Sequence, residues 1–508
     1  MELLFCDDQL LWGHLLSWLI FIPLIGAGLL FLVPGEENQR RVALIVTLLN
    51  AVLSFTLWNN FDDTTANLQF AESYAWIPSL NINYTLGLDG ISLLLVMLTT
   101  LVMPLCVLGS WTYIGKRVRE FFICLLVMET AMVGVFVAMD FVLFYIFWEM
   151  MLIPMYLLIA IWGGDQKKYA SIKFFIYTLA GSVLMLAAII ALWIANEYSF
   201  FIPEMMGKGY SSTFQLLVFL AFFLAFAIKV PMFPVHTWLP AAHVQAPAAG
   251  SVILASVLLK MGTYGFLRFC LPIAPEATLT LAPYILWLAV AGILYGGFTA
   301  LAQSDMKKLI AYSSVGHMGF VVLGIFVLNK NGVEGAIIQM INHGVTTGAL
   351  FLMIGMIYER THSREIKDHC GLAYSLPFFV TFLTIFSLSS LGFPATNSFI
   401  GEFLILAGAF AQEQNRVVAG VSIIGAVLAA AYMLRLLQYV LFRGEGRSDI
   451  NDLNFREVVT LTPLLIFVFW IGLAPEPFMN VMHVSVDFLL QQVNASHSGQ
   501  AVAAMVVN

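Results

Sequence analysis

The 508-residue sequence predicts an all-α polytopic membrane protein, and three observations carry that prediction. Hydrophobic residues make up 60% of the chain and charged residues 10%, where a soluble globular protein carries roughly 25% charged residues. The mean hydropathy is +0.90 over the whole length, which requires lipid along most of the chain rather than one anchor on a soluble body. The apolar runs are continuous for about 20 residues, the length of a spanning helix, instead of alternating over about 10 as in a membrane barrel. These features exclude a soluble enzyme and a disordered chain. With 23 Lys and Arg against 30 Asp and Glu, they also exclude a basic nucleic-acid surface. Cys6, Cys106, Cys124, Cys270 and Cys370 are scattered, odd in number and never in a CxxC pair, so no disulfide framework or metal site is read in them.

Fourteen spans are expected. The first two cover 9–33 and 41–59. No charged n-region and cleavage site precede the first, which is therefore expected to stay as a span. A polar stretch, 60–89, leads to 90–113. Next come 119–138, 141–162, 171–195, 213–245 and 248–271, then 280–300, 308–328, 333–357, 373–413 and 416–442. Span 457–474 and a tail from Glu476 end the chain. Lys and Arg of alternate loops give the orientation. Sixteen of the 23 lie on one side, including Arg40, Arg41, Lys116, Lys167 and Lys168. Four lie on the other (Lys208, Arg268, Lys330, Arg416), and Lys229, Lys260 and Arg435 fall inside spans. The richer side is expected to be cytoplasmic, with both termini and the 60–89 loop on the opposite face.

Two spans are too long for a single crossing, and both are interrupted. Span 213–245 contains Lys229-Val-Pro231-Met-Phe-Pro234, and span 373–413 contains Gly392-Phe-Pro394-Ala-Thr-Asn397. Proline removes a backbone donor and clashes with the preceding turn. Unwound backbone at membrane depth is tolerated only inside protein or against a wet cavity. The breaks are five spans apart, so spans 4–8 and 9–13 read as two five-helix repeats, and the odd number inverts the second. Paired broken helices in inverted halves point to an ion path.

Charges at depth mark the same region. Glu149 is about eight residues into its span, roughly 12 Å, and Lys260 about twelve residues in, roughly 18 Å. Lys229 precedes the first break and Glu402 follows the second; His317 and His343 stand mid-span. A charge near a helix centre costs about 2.5–3.5 kcal/mol on insertion scales, so each needs a partner or water. A carboxylate beside a lysine raises its pKa and desolvation lowers it, so making and breaking a Glu149–Lys229 contact could load or discharge a proton. A static ion pair is the alternative for these two. Lys260 reads as a relay group, and histidine is a residue type suited to passing protons, so a row of such groups at one depth favours a relay. Glu129 is deep but sits in no recognisable motif and reads as structural. Asp140 and Arg435 lie near span ends, and His236 and His243 follow the first break, where they could line a water entrance.

The stretches FWEMMLIPMYLLIAIWGG, AFAIKVPMFPVHTWLPAAHVQAPAAGSV, SVLLKMGTYGFLRF, DMKKLIAYSSVGHMGF and GFPATNSFIGEFLIL closely resemble the antiporter-like subunit M (chain 4) family of respiratory complex I, the proton-translocating NADH:quinone oxidoreductase. The resemblance covers essentially all fourteen spans. It implies two inverted repeats within a four-part chain: 1–118, 119–271, 280–442 and 443–508. It implies that Glu149 is the ion-pair glutamate, Lys229 its partner, Lys260 the central lysine, His317 and His343 members of a central hydrophilic axis, and Glu402 the terminal acid. The related chains N and L usually carry lysine at the last position. The resemblance further implies no cofactor in this subunit, with flavin, iron–sulfur clusters and quinone elsewhere in the complex. It implies neighbours of the L and N type, and a bacterial inner membrane. The absence of a dinucleotide-binding glycine motif agrees. The alternative within the same fold is a subunit of a cation/proton antiporter or a membrane-bound hydrogenase. A haem carrier with His317 and His343 as ligands is disfavoured, because paired histidines on the same helices are absent. A reporter fused to the C-terminus is expected to be active only on the periplasmic side; activity confined to the cytoplasm would overturn the span count or the orientation.

Overall fold

The computed structural model describes residues 13–444 and 450–497. Cys6, the first residues of the predicted first span (9–12), Arg447 and the extreme tail lie outside them. The chain forms α1 (Leu15–Leu29), α2 (Glu36–Asn59), the strands β1 (Gln69–Ile77) and β2 (Ile82–Leu88), α3 (Gly90–Gly109) and α4 (Val118–Val137). It continues through α5 (Phe141–Trp162), α6 (Lys167–Ala195), α7 (Ser212–Lys229), α8 (Trp238–Gln245) and α9 (Ala248–Ile273). The second half contains α10 (Pro275–Leu301), α11 (Met306–Phe326), α12 (Lys330–Thr361), α13 (Pro377–Ser390), α14 (Asn397–Ala411) and α15 (Arg416–Leu437). The last two helices are α16 (Phe455–Leu473) and α17 (Glu476–His497).

Both predicted breaks are present. α7 ends at Lys229 and α8 begins at Trp238; α13 ends at Ser390 and α14 begins at Asn397. Each falls in the fourth span of its five-span group. Among the described residues, twelve helices are long and apolar enough to cross a membrane. The predicted count of fourteen is not reached as continuous crossing helices, for two physical reasons. α1 has 15 residues within the described part, and the second broken span consists of pieces of 14 and 15 residues.

Many helix starts are capped by side chains, which supply acceptors for backbone donors that lipid could not satisfy. Asp89 caps α3, Asp140 caps α5 and Asp305 caps α11; Asn329 caps α12, and Asn454 with Glu457 forms a capping box on α16. α9 and α12 are almost wholly enclosed, whereas α2, α6 and α16 leave broad apolar faces outward. The buried centre of the molecule is thus built from the helices that carry Lys260 and His343.

Two elements go beyond the sequence reading. The 60–89 loop contains an antiparallel hairpin, β1–β2, with Tyr74 opposite Tyr84. It is pinned to the start of α5, where Met139 N donates to Thr85 O at 2.9 Å and Asn83 N to Asp140 Oδ2 at 3.2 Å. The tail from Glu476 is a 22-residue helix, α17, on the same face as the hairpin. It is docked by Lys330 Nζ on Asp487 at 2.7 Å, by His483 Nδ1 against Glu334 at 2.6 Å, and by Gly90 N on Ser485 Oγ at 3.1 Å. A Cβ added at Gly90 would lie 1.9 Å from the backbone oxygen of Val481. Gly90→Ala is therefore expected to lift α17 off α3, because backbone cannot step aside as a flexible side chain can. Limited proteolysis should release the segment after Leu473 far faster than in the parent protein.

Candidate functional site

At the first break, Trp238 Nε1 at the start of α8 donates to Ile228 O in the last turn of α7 at 2.7 Å, in place of a backbone donor of the missing turn. At the far end of α8, Arg364 Nη1 donates to Val244 O and Lys307 Nζ to Ala246 O, both at 2.6 Å. Lys229, the last residue of α7, is 1% exposed. Its Nζ lies 3.2 Å from Met151 Sδ and 5.2 Å from the centre of the Trp148 ring, a cation–π contact of modest strength. Met151 stands at the irregular point in α5, between Phe141–Met150 and Leu152–Trp162. Glu149 is on the same helix, with Oε1 buried and unpartnered. Glu149 and Lys229 are outside ion-pairing distance of one another, so the expected pair is open in this arrangement.

The other four predicted residues form a connected series. Lys260 is fully enclosed on α9, bracketed by two π-helical stretches, Leu254–Leu258 and Phe266–Cys270. Such insertions are frequent at functional positions in helices. The Lys260 ammonium donates to the Ala255 carbonyl of the first stretch and lies 2.7 Å from His343 Nδ1. The rings of His343 and His317 have centroids 5.8 Å apart. His317 Nδ1 is 3.1 Å from Glu402 Oε1, which also accepts from Gln339 Nε2 at 3.2 Å. Gly392, at φ +75° in the second break, leaves room for the carboxylate: an added Cβ would sit 3.1 Å from Glu402 Oε2. The structure thus joins Lys260, His343, His317 and Glu402, and leaves Glu149 and Lys229 at one end as a separate group.

Sequence reasoning missed the polar residues around the second break. Asn342 Nδ2 donates to Asn397 O at 2.8 Å, Ser389 Oγ to Asn397 Oδ1 at 2.6 Å, and Thr346 Oγ1 lies 2.8 Å from Ser389 Oγ. The signal was present: Gln339, Asn342, His343 and Thr346 recur at helical spacing on one face of an otherwise apolar span. Their partners on α13 and α14 could not be read from that spacing.

A polar cleft of about 500 Å³ opens on the basic face of the molecule. Asp165, Lys173, Asp305, Lys308 and Arg364 line it, and it reaches Thr237 inside the first break. His236 and His243, expected to be able to line a water entrance, lie close by but are not among the residues that line this cleft. His243 is stacked on Phe351 at 4.6 Å, with both ring nitrogens unpartnered, and His236 packs against Tyr295 at 4.7 Å. Glu129 is fully buried on α4 and accepts from Asn50 Nδ2 at 2.8 Å, away from the series above.

Comparison with known proteins is consistent across sequence and structure. Residues 138–429 match the family described as "NADH:quinone oxidoreductase/Mrp antiporter, TM", and 18–135 match "NADH-ubiquinone oxidoreductase chain 4, amino terminus". The chain is 45% identical over 503 residues to NADH-quinone oxidoreductase subunit M of Rhodobacter capsulatus, covering 95% of this chain and 97% of that one. A chain of respiratory complex I from Thermus thermophilus superimposes with a TM-score of 0.87 at 31% identity, covering 94% of this chain and 99% of that one. A chain of the Mrp complex from a Dietzia species gives 0.85 at 17% identity, covering 97% and 100%, a likeness of fold alone.

Gln339→Leu should remove one donor from the Glu402 carboxylate, a hydrogen bond to a charged group of about 1.5–3 kcal/mol. The infrared carboxyl band that disappears in Glu402→Gln is expected to move in Gln339→Leu. An unmoved band would mean that Gln339 does not hold the acid.

Proposed function

The chain belongs to the family of NADH-quinone oxidoreductase subunit M, chain 4 of the mitochondrial enzymes, and from that premise we propose how its residues carry protons. The protein is a proton-translocating membrane-arm subunit of NADH:quinone oxidoreductase and contributes to a translocase rather than to redox chemistry of its own. The observation that carries the mechanism is the buried series Lys260, His343, His317 and Glu402, in which two of the three steps are at hydrogen-bond distance.

A proton on Lys260 has an acceptor in His343 Nδ1, and its other contact, the Ala255 carbonyl, cannot take one. Imidazole accepts at one nitrogen and donates from the other, so His343 can pass charge onward without holding it. A rotation of either ring spans the gap to His317, whose Nδ1 already faces the Glu402 carboxylate. Glu402 then stands at the second break, where unwound backbone supplies polar groups for an exit.

Lys229 acts as the switch at the other end. In the open arrangement its ammonium rests on the Met151 sulfur and the Trp148 ring rather than on a carboxylate. Closure onto Glu149 would exchange these contacts for an ion pair. The basic cleft, which reaches Thr237 in the same break, is the entry for protons on that side.

The same reading places both termini and the hairpin on the periplasmic face of a bacterial inner membrane, on the strength of the charge bias between loops. It assigns flavin, iron–sulfur clusters and quinone to other subunits and puts chains of the L and N type beside this one. It keeps the division at 1–118, 119–271, 280–442 and 443–508, with the two middle parts as the repeats.

Glu149→Ala should leave the complex assembled and reduce redox-driven proton pumping by at least about tenfold, the usual scale for losing a positioned proton-transfer group. Glu149→Asp should retain part of it, because charge survives while reach shortens. Reconstituted complex, with electron transfer and proton uptake recorded separately, decides the matter: an assembled Glu149→Ala variant that pumps at the parent rate removes Glu149 from the mechanism.

A further inference from the structure

About one turn beyond Lys260 on α9, toward the hairpin face, lies Tyr264, and about two turns beyond lies Arg268. Tyr264 is fully buried, and its hydroxyl donates to Phe136 O at 3.2 Å. Arg268 Nε donates to that same hydroxyl at 3.1 Å, and its Nη2 reaches Asp89 Oδ2 at 2.6 Å and Ser92 Oγ at 3.2 Å. The second oxygen of Asp89 accepts from Ser92 N at 2.9 Å, which ties the carboxylate to the start of α3. Immediately outside this cluster is a cavity of about 110 Å³. Asp89, Arg268 and Asn67 line it, and Ser485 of α17 borders it.

Along this helix the central lysine is therefore separated from a cavity on the hairpin face by a phenol and a guanidinium. A guanidinium does not give up its proton in a protein and has no acceptor site, so it cannot serve as a step in a relay. Its fixed positive charge also repels an approaching proton, as arginines do in pores that exclude cations. Each oxygen of Asp89 already accepts one hydrogen bond, one from Arg268 and one from the start of α3. These bonds hold the arginine between the cavity and Tyr264, and the arginine itself offers a proton no acceptor.

We infer that Arg268, locked by Asp89 and Tyr264, is an electrostatic seal that closes the Lys260 end of the relay against the hairpin-side water and directs its proton sideways to His343. The inference rests on the relay described above. The barrier matters because pumping stores energy only if the loaded lysine cannot discharge or refill straight through α9. Arg268 is a positioning residue here: it does not carry the proton but removes the shortest alternative route.

The test is passive proton flux in proteoliposomes of the whole complex, with a pH gradient imposed and no NADH or quinone supplied. Arg268→Gln, which removes the charge and leaves a shorter amide that can still hydrogen-bond, should collapse the gradient on the order of tenfold faster, the factor that about 1.4 kcal/mol of lost barrier gives. Its NADH-driven electron transfer should continue while fewer protons are stored per electron. Arg268→Lys should leak more than the parent and less than Arg268→Gln, because it keeps a positive charge but, unlike a guanidinium, one that can be given up. The leak of Arg268→Gln should fall when Lys260→Met is added, because the route passes through that lysine. Should Arg268→Gln fail to assemble, Asp89→Asn takes its place: asparagine still caps α3, but the arginine loses its charged anchor, and a smaller leak is expected. Assembled variants with parent-like tightness overturn the seal, as does a leak that Lys260→Met does not reduce. Neither result touches the relay itself, which is judged by redox-driven pumping in the parent and in Glu149→Ala.

Discussion

Opening two helices inside a bilayer frees backbone groups that lipid cannot satisfy, and much of the surrounding architecture answers that demand. At the first break Trp238 donates to Ile228 O, and at the far end of α8 Lys307 and Arg364 donate to the carbonyls of Ala246 and Val244. At the second, Asn342 on the central helix α12 donates to Asn397 O at the start of α14, with Ser389 and Thr346 on the Asn397 side chain. Each break is therefore stable only within the folded bundle. In the proposed relay the polar groups of the second break also border Glu402, so that stability and conduction would depend on neighbouring contacts.

The two halves use this device differently. The first places a lysine at its break and leaves it outside pairing distance of Glu149, against methionine sulfur and the Trp148 ring. The second places a carboxylate at its break and engages it fully, with His317 and Gln339 on the same oxygen. The lysine end makes only soft contacts, and the carboxylate end is held by hydrogen bonds already made. Between them, Lys260 sits where π-helical stretches loosen α9 on both sides, which gives the central group local freedom without opening the helix to lipid.

The faces of the molecule also differ. On the basic face a roomy polar cleft reaches the first break. On the hairpin face the route along α9 ends in an arginine whose donors are engaged by Asp89, Tyr264 and Ser92, with α17 laid over the start of α3. On the proposed reading, an open approach on one face and a charged stop on the other would give direction to proton movement through the buried centre.

The sequence by itself determined the membrane class, the order of the spans, both interruptions and the depth of each titratable residue. Those properties depend on composition, proline chemistry and the 1.5 Å rise of a helix, all of which are local. Glu149, Lys229, Lys260, His317, His343 and Glu402 could be placed near one level for that reason. Only the tertiary structure decided which of them meet, because a helix's rotation about its axis and its choice of neighbour are set by packing against the whole bundle. That is why His343 turned out to face Lys260, why the Glu149–Lys229 pair stands open, and why Gln339 and Asn342 joined the centre unannounced. The hairpin was hidden because strand pairing within a short polar loop depends on its docking to α5. The α17 helix was hidden because its polar residues make sense only against Lys330, Glu334 and Gly90, more than 140 positions earlier in the chain.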